Sequence, residues 1–274
     1  MAEKNKERGR FLPFLYETAV GRCFLKVLCA PWLSKVCGRF MDSSFSKPLI
    51  KKFVVKNQID LTQFKTAEFE SFNTCFSREI KGEFRPIQGD DNTLVSPCDG
   101  LLSAYTIQKD KIIPVKQSEY TIPSLLQDDD LARQYEDGIC LVFRLCVHHY
   151  HRYCYPIGGN KNDNRFIPGV LHTVRPIALR NRPVFVENSR EYTVIQSPIG
   201  SVLQMEVGAM LVGKIKNHHR ACQVVKGDEK GMFLYGGSTI ILLLEKDAVP
   251  ISQEYFNNTA NGIETPVVMG QLLS

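Results

Sequence analysis

The chain of 274 residues contains one tryptophan, and none of its apolar runs is long enough to cross a membrane as a helix. Its longest uncharged candidates, Tyr192–Met205 and Gly231–Leu244, stop at 14 residues each. A membrane-spanning helix takes roughly 18–20 apolar residues, and both runs contain glycine, so they read as strands. There is no internal repeat and no low-complexity tract, which excludes solenoid and collagen-like architectures. No secretory signal peptide is read at the N-terminus. The nine cysteines, an odd number scattered from Cys23 to Cys222, are therefore expected as reduced thiols in a cytosolic compartment. What is present is ordinary for a folded protein: 43% hydrophobic and 23% charged residues, enough chain for one large domain or two small ones.

The net charge of +5 is unevenly spread. Residues 1–60 hold 12 Lys and Arg against 5 Asp and Glu, whereas the rest holds 22 against 24. The same N-terminal segment carries Phe11, Leu12, Phe14, Leu15, Phe24, Leu25, Leu28, Trp32 and Leu33. Basic and apolar residues together read either as helices lying in a membrane interface or as core-packing helices with solvated lysines. The remainder lacks a basic stripe, which argues against nucleic acid.

Residues 1–10 read as disordered. Residues 11–37 read as one or two helices broken at Pro31, followed by helical spacing over Ser43–Asn57 and Leu61–Lys81. From about residue 92, apolar β-rich runs bounded by Gly, Pro or Asp take over: Leu101–Ile107, Ile112–Val115, Ile139–Cys146, Tyr192–Gln196, Val202–Val207, Ala221–Val225 and Ser238–Leu244. One short helix fits Pro123–Gln134. The expected class is α+β, with a helical N-terminal region over 1–90 and a mainly antiparallel β-rich body over 91–274.

Three clusters carry chemistry. Ser96-Pro97-Cys98-Asp99-Gly100 reads on its own as a tight turn. All six histidines lie between residues 148 and 219, three of them in His148-His149-Tyr150-His151, and histidine carries protons near neutral pH or ligates metals. Tyr235-Gly236-Gly237-Ser238-Thr239 precedes an apolar strand. It reads as a hairpin turn, or as a self-cleaving segment in which flexible glycines permit a strained backbone and Ser238 attacks the carbonyl before it.

From Phe72 to Gly270 the sequence resembles the phosphatidylserine decarboxylases. The likeness rests on Phe72-Asn73 with Phe76-Ser77-Arg78, Arg85-Pro86-Ile87, Ser96–Gly100, Tyr150-His151-Arg152, Asn188-Ser189-Arg190, Glu206–Ala209, Lys226–Gly231, Gly236–Thr239, Glu264-Thr265 and Met269-Gly270, in that order. The resemblance implies self-cleavage between Gly237 and Ser238 into a β chain, 1–237, and an α chain, 238–274. It implies that Ser238 becomes a pyruvoyl group forming a Schiff base with phosphatidylserine, yielding phosphatidylethanolamine and CO2. It further implies that His151 protonates the resulting carbanion, and it suggests a homodimer on the cytoplasmic face of a membrane. Some relatives instead decarboxylate free amino acids.

The sequence departs from the family pattern at one place. The family's second histidine, the base between the motif aspartate (here Asp99) and the serine, falls on Cys154, and His149 stands where the family has an aspartate. Three routes remain: Cys154 as a thiolate base, His149 as a substitute base, or a chain that does not cleave. Arg152 reads either as a ligand for the lipid phosphate or as the partner of an acidic neighbour. A zinc module built on His148, His149, His151 and Cys154 lacks the paired spacings of such sites, so no metal is expected.

Overall fold

The computed structural model describes residues 11–108, 112–115, 118–210, 214–235 and 238–274. Residues 1–10 and the Gly236-Gly237 pair, where disorder and a cleavable bond are expected, lie outside them.

Three helices open the described chain: α1 (Phe11–Glu17), α2 (Ala19–Leu28) and α3 (Pro31–Asp42). The segment expected to hold one or two helices is interrupted at Thr18, whose hydroxyl accepts the Gly21 N–H at 2.9 Å and caps α2. Pro31 starts α3 instead of merely ending a helix, because proline at the first helical position loses no hydrogen bond. A 3-10 turn over Ser44–Ser46 then precedes α4 (Pro48–Lys56).

The expected helix over Leu61–Lys81 is mostly absent. Asp60 caps a single 3-10 turn, and a Ser71/Thr74 capping box starts the five-residue α5 (Phe72–Phe76). Between them the chain folds back on itself. Lys65 N–H donates to Glu79 O and Lys81 N–H to Gln63 O, while Phe64, Ile80 and Tyr150 pack together. The apolar spacing that imitates a helix serves this folded-back loop.

The body contains the strands β1 (Gly100–Thr106), β2 (Ile112–Val115), β3 (Ser118–Thr121), β4 (Ile139–Leu145), β5 (Arg152–Cys154), β6 (Gly159–Lys161) and β7 (Arg165–Ile167). These are followed by β8 (Arg190–Ser197), β9 (Gly200–Val207), β10 (Ile215–Asn217), β11 (Cys222–Val224), β12 (Glu229–Phe233), β13 (Ser238–Leu244) and β14 (Thr265–Val267). The expected helix at Pro123–Gln134 divides into α6 (Ile122–Leu126) and α7 (Asp129–Arg133) around Gln127, which takes the left-handed conformation. Three further helices were not anticipated: α8 (Pro176–Asn181), α9 (Val184–Glu187) and α10 (Gln253–Ala260).

The class is α+β, as the sequence indicates. Among the described residues the main sheet runs β11-β6-β8-β9-β13-β4-β1-β14, with β7 also on β8, and every pairing is antiparallel. A second sheet, β10-β12-β5, packs Tyr153 and Phe233 against Phe143, Ile240 and Leu242 on one face of the main sheet. The other face packs Val142, Met205 and Ile241 against α6, α8 and α9, and the same core takes in Leu15, Tyr16, Leu25 and Cys29 from α1 and the α2 end. β13 is buried at every position because both faces and both edges are covered. Its unbroken apolar run therefore replaces the alternation of a half-exposed strand.

Candidate active site

Ser238 is the first residue of β13, opposite Leu145 of β4, and is fully buried. The β4–β5 connection brings His151 to it. After Leu145 the chain turns, with His149 N–H donating to Cys146 O, and then runs into β5. His151 is itself fully buried, anchored where Phe233 N–H donates to its carbonyl at 2.9 Å. Its ring lies against Phe76 of α5, with centroids 4.1 Å apart and planes inclined by 30°.

The two ring nitrogens of His151 have different partners. Nε2 is 3.1 Å from Cys146 O, and Nδ1 is 3.4 Å from Ser238 Oγ. A carbonyl only accepts, so the ring proton is assigned to Nε2. Nδ1 is then left with a lone pair toward the Ser238 hydroxyl, which donates to it. Burial pushes the imidazole pKa well below its usual value and keeps the ring neutral, outweighing the Cys146 carbonyl that pulls the other way. A nucleophilic hydroxyl thus faces a neutral base oriented by a third group, the arrangement that activates serine. Here the orienting group is a backbone carbonyl, where serine triads commonly use a carboxylate.

The other residues singled out by the sequence lie elsewhere. Asp99 touches neither His151 nor Ser238. Its carboxylate receives Arg85 Nε at 2.8 Å and Nη2 at 2.5 Å, and also accepts the Met269 N–H at 2.9 Å. His149 does not share a strand face with His151, because the segment turns and is not extended. Its Nδ1 accepts the Cys146 N–H at 3.0 Å, and burial, with a smaller push from His148, lowers its pKa to about 4. The Cys154 thiol points to Ser96 O at 3.9 Å, and burial pushes its pKa up to about 12. A thiol of that kind is protonated at neutral pH, so the geometry supports neither Cys154 nor His149 as the base. Arg152 takes the second of its two readings. It donates twice to Glu229, at 2.9 and 3.0 Å, and to Ser77 O at 2.8 Å, while His218 closes on the same glutamate at 2.7 Å.

Several contributors had no role readable in the sequence. Arg85 stood in a family motif, but nothing pointed to Asp99 as its partner. The Cys146 carbonyl is a backbone atom and leaves no trace in a sequence. Asn188 clamps the backbone of His172 through its N–H and its carbonyl, each at 2.8 Å, and also donates to Gly208 O at 2.7 Å. Arg190, fully buried, spends its guanidinium on the carbonyls of Ser124, Leu125, Val186 and Asn188. Both are structural ties.

A buried serine–imidazole pair thus stands at the head of a central strand in an antiparallel α+β body. The family model for phosphatidylserine decarboxylase matches residues 72–273. The chain is 40% identical over 272 residues to the phosphatidylserine decarboxylase proenzyme 2 of Clostridium acetobutylicum, covering 98% of this chain and 92% of that protein. It is 38% identical over 269 residues to the phosphatidylserine decarboxylase proenzyme of Clostridium beijerinckii (96% and 91% covered), and 39% identical over 268 residues to that of Clostridium novyi (95% and 91% covered). The chain belongs to the phosphatidylserine decarboxylase family, a family of carboxy-lyases.

Proposed function

We propose that this chain is a self-processing phosphatidylserine decarboxylase whose maturation base is His151. The observation that carries the reading is the contact between the Ser238 hydroxyl and Nδ1 of a neutral, buried His151. In this reading Nδ1 takes the hydroxyl proton as Oγ attacks the Gly237 carbonyl carbon, and the proton passes to the departing backbone nitrogen as the amide becomes an ester. Loss of the Ser238 Cα proton then breaks the Cβ–Oγ bond. The β chain leaves with a Gly237 carboxylate, and water converts the remaining dehydroalanine to a pyruvoyl group with release of ammonia.

The residues present fit such a group, since Ser238 supplies its atoms and is buried beside His151, whose ring lies against Phe76. The pyruvoyl group supplies an electron sink for decarboxylation of a bound amine. With its ring proton moved from Nε2 to Nδ1, a neutral His151 would hold at that position the proton that replaces CO2. The two chains would stay together because β13 lies between β4 and β9, β14 pairs with β1, and Asp99 holds the Met269 N–H.

The membrane reading rests on the N-terminal helices. Phe24 and Trp32 are each 59% exposed, Phe45 82% and Val55 70%, among Arg22, Lys26, Lys35, Arg39, Lys51, Lys52 and Lys56. Apolar side chains that insert, flanked by cations that attract anionic lipid, suit peripheral docking on the cytoplasmic leaflet. Among the described residues no helix is long and apolar enough to cross a membrane.

The test is to incubate the purified protein with phosphatidylserine vesicles and follow CO2 and phosphatidylethanolamine. Both should rise together, and reductive trapping with cyanoborohydride in the presence of substrate should stop them. Release of CO2 from free amino acids alone would replace the lipid substrate. No release from either would contradict the reading.

A further inference from the structure

Two parts of the reaction centre rest on α5, a helix of five residues. Phe76 supplies the face on which the His151 ring lies. One turn earlier, Asn73 Oδ1 accepts the backbone N–H of Tyr235 at 3.1 Å, three residues before Ser238. The Tyr235 ring meets the same helix edge-on, 4.9 Å from Phe72 and 5.5 Å from Phe76. The base and the chain leading to the nucleophile are thus aligned on one template.

The template is tied to the N-terminal helices. Asn73 Nδ2 donates to Asp42 Oδ1, on the last residue of α3, at 2.8 Å, and the Phe72 N–H donates to Ser46 Oγ at 2.8 Å. The chemistry of the partners fixes the amide orientation. A carboxylate only accepts, so the Asn73 NH2 faces Asp42, and a backbone N–H only donates, so the Asn73 oxygen faces Tyr235. Each end of the side chain is matched, and a wrong end would place two donors or two acceptors together.

We infer that Asn73 is a positioning residue for self-cleavage, holding the Tyr235 backbone so that the following peptide reaches Ser238, and that Asp42 holds Asn73 in the orientation this requires. The inference rests on the self-cleavage reading above. Misplacing reacting groups by about 1 Å costs on the order of a hundredfold in rate, so a substitution outside the chemistry is expected to register in cleavage.

The test follows intact mass over time after cell-free synthesis of the full chain. Asn73→Asp keeps an acceptor for Tyr235 but sets a carboxylate against Asp42, and cleavage should slow at least tenfold. The pair Asp42→Asn with Asn73→Asp restores a donor at 42 and two acceptor oxygens at 73, and its rate should return to within threefold of wild type. The melting temperature of each variant, read beside the rate, should stay near that of wild type, which separates misplacement from a loss of folding. If wild type cleaves and Asn73→Asp keeps pace, or if the exchanged pair stays as slow as Asn73→Asp, the inference is overturned. A wild-type chain that stays whole contradicts the self-cleavage reading itself, an outcome distinct from failure at Asn73.

Discussion

Arg85 closes on Asp99 with two hydrogen bonds, at 2.8 and 2.5 Å, and the pair is only 16% and 10% exposed at its side chains. Asp99 also accepts the Met269 N–H, so one carboxylate joins the segment before β1 to the C-terminal segment. Removing one member of a buried pair leaves the other uncompensated and typically costs 3–5 kcal/mol. With residual exposure, Arg85→Ala and Asp99→Ala are each expected to lose about 2–3 kcal/mol in urea unfolding. The double variant should lose little more than either single one, and strictly additive losses would show that the two do not act together.

Histidine burial predicts how stability depends on pH. His149 and His172 are held to about 4, and His151 well below its usual value, in each case chiefly by burial. In the unfolded chain the same rings take up protons near pH 6.5. Stability should therefore be level above pH 6.5 and fall as the pH drops from there toward 4, by up to about 1.4 kcal/mol per pH unit for each histidine. Urea midpoints at pH 7, 6 and 5 measure this, and equal midpoints at 7 and 5 would contradict it. The cleavage rate itself should be flat from pH 6 to 8, because the base is already neutral. A tenfold rise per pH unit would instead indicate a thiolate.

If His151 is the base, Cys154 is a packing residue. Its sulfur points to Ser96 O, and its backbone donates to Pro97 O and accepts from Gln204. Cys154→Ala removes one buried sulfur, at a cost of about 1 kcal/mol in stability. Cleavage is expected to stay within threefold of wild type in a mass time course. A loss beyond tenfold would return the thiol to the mechanism.

How much of this was legible depended on the range of the determining contacts. The β runs at 139–146, 202–207 and 238–244 were legible because each is long and apolar, and a strand covered on both faces needs nothing more. The three-residue strands β5, β6 and β7 were not, since their partners define them and their composition does not. The pattern of Phe64, Phe72, Phe76 and Ile80 suits a helix equally well as sequence, and the loop prevails because Tyr150 and Arg78 give Phe64 and Ile80 a place to pack. Ser238, His151 and Asp99 were legible through a family pattern. Their pairing was not, because Arg85 reaches Asp99 and a carbonyl orients His151 only once the chain is folded.

The exposed apolar residues of α2 and α3 predict a binding defect that leaves folding intact. Full burial of a large apolar side chain gains about 1.5–3 kcal/mol, and partial insertion gains less. Phe24→Ser with Trp32→Ser should lower sedimentation with anionic vesicles at least tenfold while the melting temperature stays the same. Unchanged sedimentation would mean that these helices do not meet the membrane.

If His151 Nδ1 activates Ser238, intact mass of His151→Ala beside wild type will show it. Wild type should resolve into two chains breaking between Gly237 and Ser238, the smaller with a blocked, carbonyl-reactive N-terminus, while His151→Ala stays whole or cleaves at least a hundredfold more slowly. Two chains appearing at the wild-type rate from His151→Ala would contradict it.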